Sequence, residues 1–408
     1  MANTLKFGNG EWYGKKDTIL AYNDLNSNYK PLPFNFSRGS SATVVNKDGL
    51  IETVSSGEPR IDFKDDSKGA LLLEPSRSNI LPYSNKFINT GWQYYRGTII
   101  ANATISPDGT LNASRYQEDS QTGSHLFRRQ SLSITNLLPY TGSIFVKKGE
   151  LSVVRLASNS TSRWDAGAEF NLENGTVTSG TGVIEDYGNG WYRCSISGNA
   201  VETTTVAGFE IYTSVGAGRD GQGLFMYGAM FEQGSYATSY IPTQGGVVTR
   251  LAETCSQTAP DGVIGQTELT VFYQGIVNVE SGSDGHAIAL SQSVNAAGTS
   301  RVLLYRNNSD NNMYVFIQNS TGQFDTPLSV GTPSSENDKY AIILKDSILK
   351  VYFNGQKVID KTNGTFPLMQ YLYLNEWSNQ NAQKNRVKNV KLYNKVLSDS
   401  EAIALTQV

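Results

Sequence analysis

Aromatic side chains in polar stretches are the residues of this chain best suited to chemistry. Trp164 directly precedes Asp165, and Trp377 is followed two residues later by Asn379 in a run of polar residues. Flat rings stack on sugar faces, while carboxylate and amide groups beside them hydrogen-bond to hydroxyls. The pattern predicts carbohydrate contacts at Trp164, Asp165, Trp377 and Asn379, with ordinary packing of the two tryptophans in loops as the alternative.

Nucleophilic catalysis finds little support in the sequence. A serine or cysteine nucleophile needs a neighbouring base, usually histidine, and the chain has two histidines, His125 and His286. Each lies in a polar, turn-rich stretch without an evident serine or cysteine partner. We therefore expect both to be solvent-facing or loop residues.

Paired carboxylates for glycoside hydrolysis are also not evident. Glu169 and Glu173 are the nearest acidic pair on a predicted strand, yet they alternate with apolar residues that point inward. Both are thus expected on the solvated outer face. Glu376 has no second acid two or four residues along its strand. The sequence predicts a protein that is not an enzyme, with no catalytic residue.

No cofactor or resident metal is predicted. The two cysteines, Cys194 and Cys255, are far apart and are expected to be free thiols, with Cys194 buried in a strand. Asp284-Gly285 and Asp310-Asn311-Asn312 offer oxygen atoms of the kind that calcium takes, without EF-hand spacing. The sequence leaves structural calcium open and predicts no metal ligand.

Composition and charge narrow the class of protein. The 408 residues include 39 glycines and 22 tyrosines and carry a formal net charge of −3 without a basic stripe, which argues against nucleic-acid binding. We find no basic-then-apolar leader and no run of about 18 apolar residues, so neither secretion nor membrane insertion is expected. The expected product is made in the cytoplasm and is rich in antiparallel sheet.

Short candidate strands separated by turns predict an all-β fold. We expect two antiparallel β-sandwich (jelly-roll) domains in tandem after a small N-terminal β-rich attachment or oligomerisation segment: residues 1–79 the segment, 80–244 the first sandwich, 245–264 a linker, and 265–408 the second sandwich. Asn354-Gly355 between apolar runs predicts a type I′ hairpin. Ser398 followed by Glu401 predicts a capping box and one short C-terminal helix.

Several strings of residues resemble a known family. GALLLEPSRSN (Gly69–Asn79), GNGWYRC (Gly188–Cys194) and GSYATSYIPTQGGVVTR (Gly234–Arg250) look like a group of bacteriophage tail or head fibre proteins with a carbohydrate-binding-module-like jelly roll. That resemblance covers roughly residues 35 to 250. Residues from 265 onward resemble a laminin-G or concanavalin-A-like lectin domain, through VYFNGQKV (Val351–Val358) and RVKNVKLYNKVLSDSEAIAL (Arg386–Leu405).

The resemblance implies a component of the virion surface that binds bacterial surface glycans for host adhesion. It fixes no binding residue. We expect many weak contacts multiplied by homo-oligomerisation, as a dimer or a trimer, and contacts with other virion proteins through the N-terminal segment. Two alternatives remain: a structural or decoration fibre that contacts other virion proteins, and a depolymerase of surface polysaccharide.

Overall fold

The structure is a computed structural model of the chain. It describes residues 4–20, 22–23, 33–88, 91–161, 163–258, 268–280, 282–292, 301–318, 327–362, 369–375 and 383–408. Strands dominate these residues, and one short helix lies near the end of the chain. The predicted all-β fold is confirmed.

The first seventeen strands, in chain order, are β1 (Thr4–Gly8), β2 (Tyr13–Lys15), β3 (Thr18–Leu20), β4 (Tyr22–Asn23), β5 (Pro33–Ser37), β6 (Ala42–Val45), β7 (Ile51–Val54), β8 (Ile61–Asp62), β9 (Ala70–Leu73), β10 (Arg77–Asn79), β11 (Trp92–Tyr95), β12 (Gly97–Ile105), β13 (Leu111–Glu118), β14 (Thr122–Ile134), β15 (Pro139–Lys148), β16 (Val153–Ser158) and β17 (Gly167–Asn171).

The remaining elements are β18 (Thr176–Gly180), β19 (Gly182–Asp186), β20 (Trp191–Asn199), β21 (Thr204–Ala217), β22 (Gly223–Gln233), β23 (Val248–Arg250), β24 (Thr254–Thr258), β25 (Glu268–Val277), β26 (Gly285–Ser291), β27 (Arg301–Arg306), β28 (Met313–Gln318), β29 (Leu328–Gly331), β30 (Lys339–Lys345), β31 (Ile348–Phe353), β32 (Gln356–Thr362), β33 (Tyr371–Leu374), β34 (Asn385–Tyr393) and α1 (Asp399–Thr406).

The chain folds into two compact units whose boundaries differ from the predicted ones. The terminal unit comprises Met1–Lys47, Val54–Ser76 and Leu251–Val408, and the central unit comprises Asp48–Thr53 and Arg77–Arg250. The central unit matches the first predicted sandwich to within a few residues at each end. The units divide between Ser76 and Arg77, three residues before the predicted boundary at residue 79, and the central unit also includes Asp48–Thr53.

The terminal unit is a sandwich of two sheets. Sheet 1 has the order β32-β31-β30-β25-β34-β1-β4, with β9 also paired to β34 and β8 to β9; sheet 2 has the order β2-β3-β5-β24-β33-β26-β27-β28-β29. Alternate residues of both sheets point into one shared core, which includes Val271, Ile342 and Val390 from sheet 1 and Leu290 and Leu304 from sheet 2. The strands alternate because one face packs and the other meets solvent or α1.

The N-terminal residues are part of this sandwich and do not form a separate segment. Strand β1 pairs along its whole length with β34, while β5 pairs with β24. Phe7, Phe34 and Phe36 are buried in the core of the terminal unit. The prediction of a distinct attachment segment at residues 1–79 is therefore corrected, since these strands complete two sheets that the C-terminal part alone leaves short.

The predicted linker at residues 245–264 is corrected in the same way. Strand β23 pairs with β10, and β24 lies between β5 and β33 within sheet 2. Glu253, just before β24, is fully buried with Arg38 and Arg60, whose guanidinium groups donate to its carboxylate from Nη1 at 2.7 Å and Nε at 2.8 Å respectively. Arg60 also forms an ion pair with Glu74, with 3.0 Å between Nη2 and Oε2. Glu253 and alternate residues of β24 are therefore packed in the interior, while residues 259–264 lie outside the described residues.

The central unit is a second sandwich of two six-stranded sheets. Sheet 3 has the order β11-β14-β21-β16-β17-β18, and sheet 4 has the order β12-β13-β22-β15-β20-β19. Their inner faces meet in a core that includes Phe127, Leu156 and Ile211 from sheet 3 and Ile144 and Met226 from sheet 4. Every pairing is antiparallel, as the predicted jelly-roll type of sandwich requires.

Two local predictions at the C-terminal end are confirmed. Asn354 and Gly355 have φ angles of 47° and 78° and join β31 to β32, as a type I′ turn requires. Ser398 accepts from the backbone of Glu401, whose carboxylate accepts from the backbone of Ser398 in return. Among the described residues no helix is long and apolar enough to cross a membrane.

Candidate functional site

The predicted sugar-binding tryptophan of the central unit is a core residue. Trp164 is 0% exposed, packs edge-on against Phe231 at 4.9 Å, and donates its indole N–H to the carbonyl of Gly198 at 2.9 Å. A ring enclosed in this way has no free face for a sugar, so the prediction for Trp164 is wrong. Asp165 is exposed but loses its proposed aromatic partner, while Trp377 and Asn379 lie outside the described residues.

A different set of aromatic and charged side chains shares the outer face of sheet 3. In β21 Phe209 and Ile211 point into the core, so Glu210 and Tyr212 point outward. Arg128 is directly opposite Glu210, and Arg155 is directly opposite Tyr212. With their neighbours on β11, these residues form what we call the sheet 3 face: Gln93, Tyr95, Arg128, Arg155, Glu210 and Tyr212.

Arg128 is the centre of the hydrogen bonds on this face. Its guanidinium donates to Glu210 Oε1 at 2.9 Å, to Gln93 Oε1 at 3.1 Å and to the Tyr95 hydroxyl at 2.6 Å. It also lies 4.6 Å from the centre of the Tyr95 ring. Arg128 is thereby held in one orientation while its side chain remains 24% exposed. The arrangement gives a rigid donor beside an aromatic ring that is 37% exposed.

Glu210 is linked to both tyrosines of the face, directly to Tyr212 and through Arg128 to Tyr95. The Tyr212 hydroxyl donates to Glu210 Oε2 at 2.5 Å, and burial together with that carboxylate raises the pKa of Tyr212 to about 12. Tyr212 therefore stays a neutral donor throughout the physiological range. The guanidinium of Arg155 lies 5.5 Å from the Tyr212 ring and is exposed, without a hydrogen bond or ion pair to any residue that the structure describes.

A glycine leaves room on the outer face of sheet 3, two strands away from the buried Glu210. Ala157 is directly opposite Glu210 on β16, and Gly167 is directly opposite Ala157 on β17. A Cβ atom placed on Gly167 would meet only the carbonyl oxygen of Leu156, at 3.6 Å. The large side chains of the face therefore border a place where a ligand can approach the sheet.

This set of groups is suited to recognition of hydroxyl-rich molecules. Two arginines supply donors, two tyrosine rings supply apolar surface, and the Glu210 carboxylate, which is 4% exposed, holds Arg128 and Tyr212 in place. The hydroxyls of a sugar both donate and accept, and its C–H faces pack on aromatic rings. Alternation in β21 signals Glu210 and Tyr212 in the sequence, but no local signal pairs them with Arg128, which lies 82 residues away.

His125 is buried within a group that superficially resembles a catalytic triad. Its Nδ1 lies 3.0 Å from the Gly123 carbonyl and 3.2 Å from the Ser214 hydroxyl, and its Nε2 lies 3.5 Å from the Asp119 carboxylate. Because the Gly123 carbonyl can only accept, Nδ1 carries a proton and donates it in the hydrogen bond to that carbonyl. The Ser214 hydroxyl donates to Glu118 at 2.9 Å. Nδ1 thus has no lone pair left for the serine. His125 is 0% exposed, which corrects the prediction of a solvent-facing residue.

His286 lies in β26 and is also more enclosed than predicted. Partial burial lowers its pKa to about 4, with a further contribution from Arg301. Since an unfolded histidine titrates near 6.5, the unfolded chain binds more protons at this position between pH 6.5 and pH 4. The neutral ring therefore contributes stability above about pH 6.5, and the contribution is lost as the pH falls through 4.

We expect His286→Gln to flatten the acid side of the stability profile of the terminal unit. The wild type should lose up to about 1.4 kcal/mol per pH unit more than the variant between pH 6.5 and pH 4. Denaturant unfolding at half-unit pH steps measures this difference. Parallel profiles for wild type and His286→Gln would contradict the assignment.

The carboxylates considered as calcium ligands already accept hydrogen bonds from neighbouring residues. Asp284 accepts from the backbone and side chain of Asn308, and Asp310 accepts from Asn312 and from the Tyr314 hydroxyl at 2.7 Å. Within the described ranges no group of three or more histidine, cysteine, aspartate or glutamate side chains is placed to hold a metal ion.

Glu169 and the two cysteines lie as the sequence predicts, Glu173 is exposed beyond the end of β17, and Glu376 lies outside the described residues. Glu169 lies on the outer face of sheet 3, where it accepts from the Thr178 hydroxyl at 2.9 Å. Both cysteines are free and buried, and burial raises the pKa of both thiols.

Comparisons with known proteins yield only distant likenesses. No protein-family model and no curated protein matches the chain. The CBM40 of the Ruminococcus gnavus IT-sialidase, solved with alpha2,3 sialyllactose, is 16% identical over 36% of this chain and 84% of its own, with a TM-score of 0.30. Trypanosoma rangeli sialidase in complex with sialic acid is 12% identical over 97% of this chain and 68% of its own, with a TM-score of 0.30.

TM-scores of this size carry neither a ligand nor an activity over to this chain. The fold and the side chains define a class on their own: an all-β protein of two antiparallel sandwich units, one of which presents the sheet 3 face.

Proposed function

We propose that this protein binds glycans without chemical conversion, and that the sheet 3 face of the central unit is the binding surface. The observation that carries the proposal is the Arg128–Glu210 pair, fixed between Tyr95 and Tyr212 on an outward-facing sheet. Sugar recognition needs fixed donors and acceptors next to aromatic surface, and this face supplies both. A single shallow site of this kind binds weakly, so function calls for several copies.

The resemblance of the sequence strings to bacteriophage fibres supports a more specific role. In this proposal the chain is a fibre protein on the virion surface, and a homo-oligomer of it adheres to glycans of the bacterial host. Linking several weak sites raises the overall affinity by roughly 10²- to 10⁴-fold when the geometry lets them bind together. The N-terminal strands belong to the terminal sandwich in this account, so no separate attachment segment is invoked.

A glycan array with the purified full chain tests the proposed function. We expect selective binding to a subset of bacterial surface glycans, and binding to intact host cells that the same free glycans inhibit. Absence of binding to both glycans and cells would overturn the proposal. Immunogold labelling of intact particles tests the virion role, because a protein found only at an internal joint cannot be the adhesin.

Gly167→Leu should fill the open space at Gly167 on the outer face of sheet 3 while leaving the fold intact. The backbone of Gly167 is in an ordinary strand conformation, and the position is on the outer face, so we expect the free energy of unfolding to change by about 0.5 kcal/mol or less. Binding to array glycans should fall by about tenfold or more because a branched side chain then occupies the approach to the sheet. Thr178→Leu on the neighbouring β18 is the control for added bulk, and equal binding by wild type and Gly167→Leu would contradict the location of the site.

Two alternative functions would give different results in these assays. A structural fibre that contacts only virion proteins would carry the same two sandwiches, and it would show no glycan binding on the array. A depolymerase would shorten host polysaccharide during incubation, which a size-exclusion profile of the polymer detects. We propose neither, because the sheet 3 face has the groups for binding, while Glu210 and Glu169 on the outer face of sheet 3 both already accept hydrogen bonds from neighbouring side chains.

A further inference from the structure

A concave site, separate from the sheet 3 face, lies entirely within the terminal unit. It has a volume of about 760 Å³ and is formed by the turn that follows β1, by β2, and by the chain around β8 and the start of β9. Two aromatic rings, Trp12 and Phe63, are part of its lining. Four lysines and two glutamates also line it, so the lining carries a net positive charge.

Trp12 is held in place at this cavity. Its indole N–H donates to the carbonyl of Lys68 at 2.9 Å, and its ring packs at 6.3 Å from Phe7 of the core. The ring is partly buried, so one part supports the fold while another part faces the cavity. A fixed aromatic surface in a concavity costs little entropy when a flat ligand packs against it.

The lysines around the rings are available for an anion. The ammonium group of Lys47 lies 5.4 Å from the centre of the Phe63 ring, and Lys15 and Lys16 are exposed at the rim. The Glu58 carboxylate, by contrast, accepts from the backbone N–H of Ser55 at 2.8 Å. The positive charge at the cavity is therefore only partly compensated by its own acidic residues.

We propose that this cavity binds a saccharide that carries carboxylate groups, with a sugar ring against Trp12 and a carboxylate beside Lys16 and Lys47. Aromatic surface next to ammonium groups matches an acidic sugar, because the ring packs on the aromatic side chain while the charge meets the lysines. The cavity and the sheet 3 face belong to different units. The inference stands or falls independently of the proposed function.

The test uses the full chain with trigalacturonate as the acidic probe and galactotriose as the neutral one. Titration is followed by tryptophan fluorescence, since Trp92, Trp164 and Trp191 are buried in the central unit and Trp12 is at the cavity. The fifth tryptophan, Trp377, lies outside the described residues, so the variant Trp12→Phe assigns the signal. We expect saturable binding of trigalacturonate that weakens as sodium chloride rises from about 50 to 300 mM, and little binding of galactotriose. In the variant Trp12→Phe the fluorescence change should be lost and the affinity, measured by calorimetry, reduced.

The double variant Lys16→Gln with Lys47→Gln should weaken trigalacturonate binding by roughly 3- to 10-fold, as expected for two exposed ion pairs. The control is the double variant Lys147→Gln with Lys361→Gln, which changes the net charge equally at positions outside the cavity lining. Unchanged affinity in the first double variant, or an equal loss in the second, would overturn the proposal. So would displacement of trigalacturonate by inorganic phosphate at the same concentration, which would show a site for any anion.

Discussion

Replacing Glu253 by alanine is expected to destabilise the terminal unit by about 3–5 kcal/mol. Glu253 is the carboxylate shared by Arg38 and Arg60, and all three side chains are fully buried. Its Oε2 also accepts from the backbone N–H of Glu74 at 2.9 Å. Removing it leaves two buried guanidinium groups with the single carboxylate of Glu74, and the interior offers no water to replace the lost partner.

Hydrogen exchange measured by mass spectrometry across a denaturant series resolves the two units. Exchange should accelerate in β5, β24 and β33, while β14 and β21 of the central unit serve as an internal reference. The matched control is Glu268→Ala, which removes an exposed ion pair to Lys345 in the same unit and should destabilise the unit far less, because solvent screens exposed ion pairs. The loss of unfolding free energy in Glu253→Gln should lie between the losses in Glu253→Ala and Glu268→Ala, because glutamine keeps the shape of the side chain and loses its charge.

The Glu253 experiment also decides between two descriptions of residues 245–264. A solvated linker would tolerate Glu253→Ala with a change of about 0.5 kcal/mol or less. A cost as small as that of Glu268→Ala would contradict the interior position of Glu253.

Arg128→Ala is expected to reduce glycan binding by about 10- to 100-fold, equivalent to roughly 1.5–3 kcal/mol for hydrogen bonds to a charged group. The variant removes the donor that orders Gln93, Tyr95 and Glu210. Arg128→Lys keeps the charge but loses the planar fork of donors, so we expect it to recover only part of the affinity. Calorimetric titration with the tightest glycan from the array measures each variant.

The matched control for Arg128 is Arg115→Ala on sheet 4. Arg115 pairs with Glu150 at 2.6 Å and lies 5.7 Å from the Phe225 ring, so its removal costs an ion pair and a cation–π contact of the same kind. Because Glu210 is left without its arginine in Arg128→Ala, the unfolding free energy of each variant is measured alongside. A folded Arg128→Ala protein that binds as tightly as Arg115→Ala would refute the location of the site.

Local patterns in the sequence predicted most strands and both C-terminal signatures. Apolar runs mark β15, β16, β20, β25, β30 and β34 in the sequence, because each of these strands packs against a sandwich core. Asn354-Gly355 and the Ser398–Glu401 box were predictable for the same reason: both depend on neighbours in sequence. Strands β11 to β14 have a weaker signal in the sequence, since their polar and apolar residues alternate less regularly.

Long-range pairing explains the errors. The partner of β1 is β34, at the other end of the chain, and no local pattern identifies it. Trp164 has polar neighbours in sequence, yet a bridge to Ala200 draws it into the core. The same limitation hid the sheet 3 face, because the order β11-β14-β21-β16 brings together strands that are distant in sequence.

A crystal structure of the full chain with the tightest array glycan tests the central claim most directly. We predict that the sugar lies on the sheet 3 face, with hydroxyls hydrogen-bonded to Arg128 and Glu210 and one ring packed against Tyr95 or Tyr212. A glycan bound elsewhere, making no contact with Arg128 or with either tyrosine, would contradict the account.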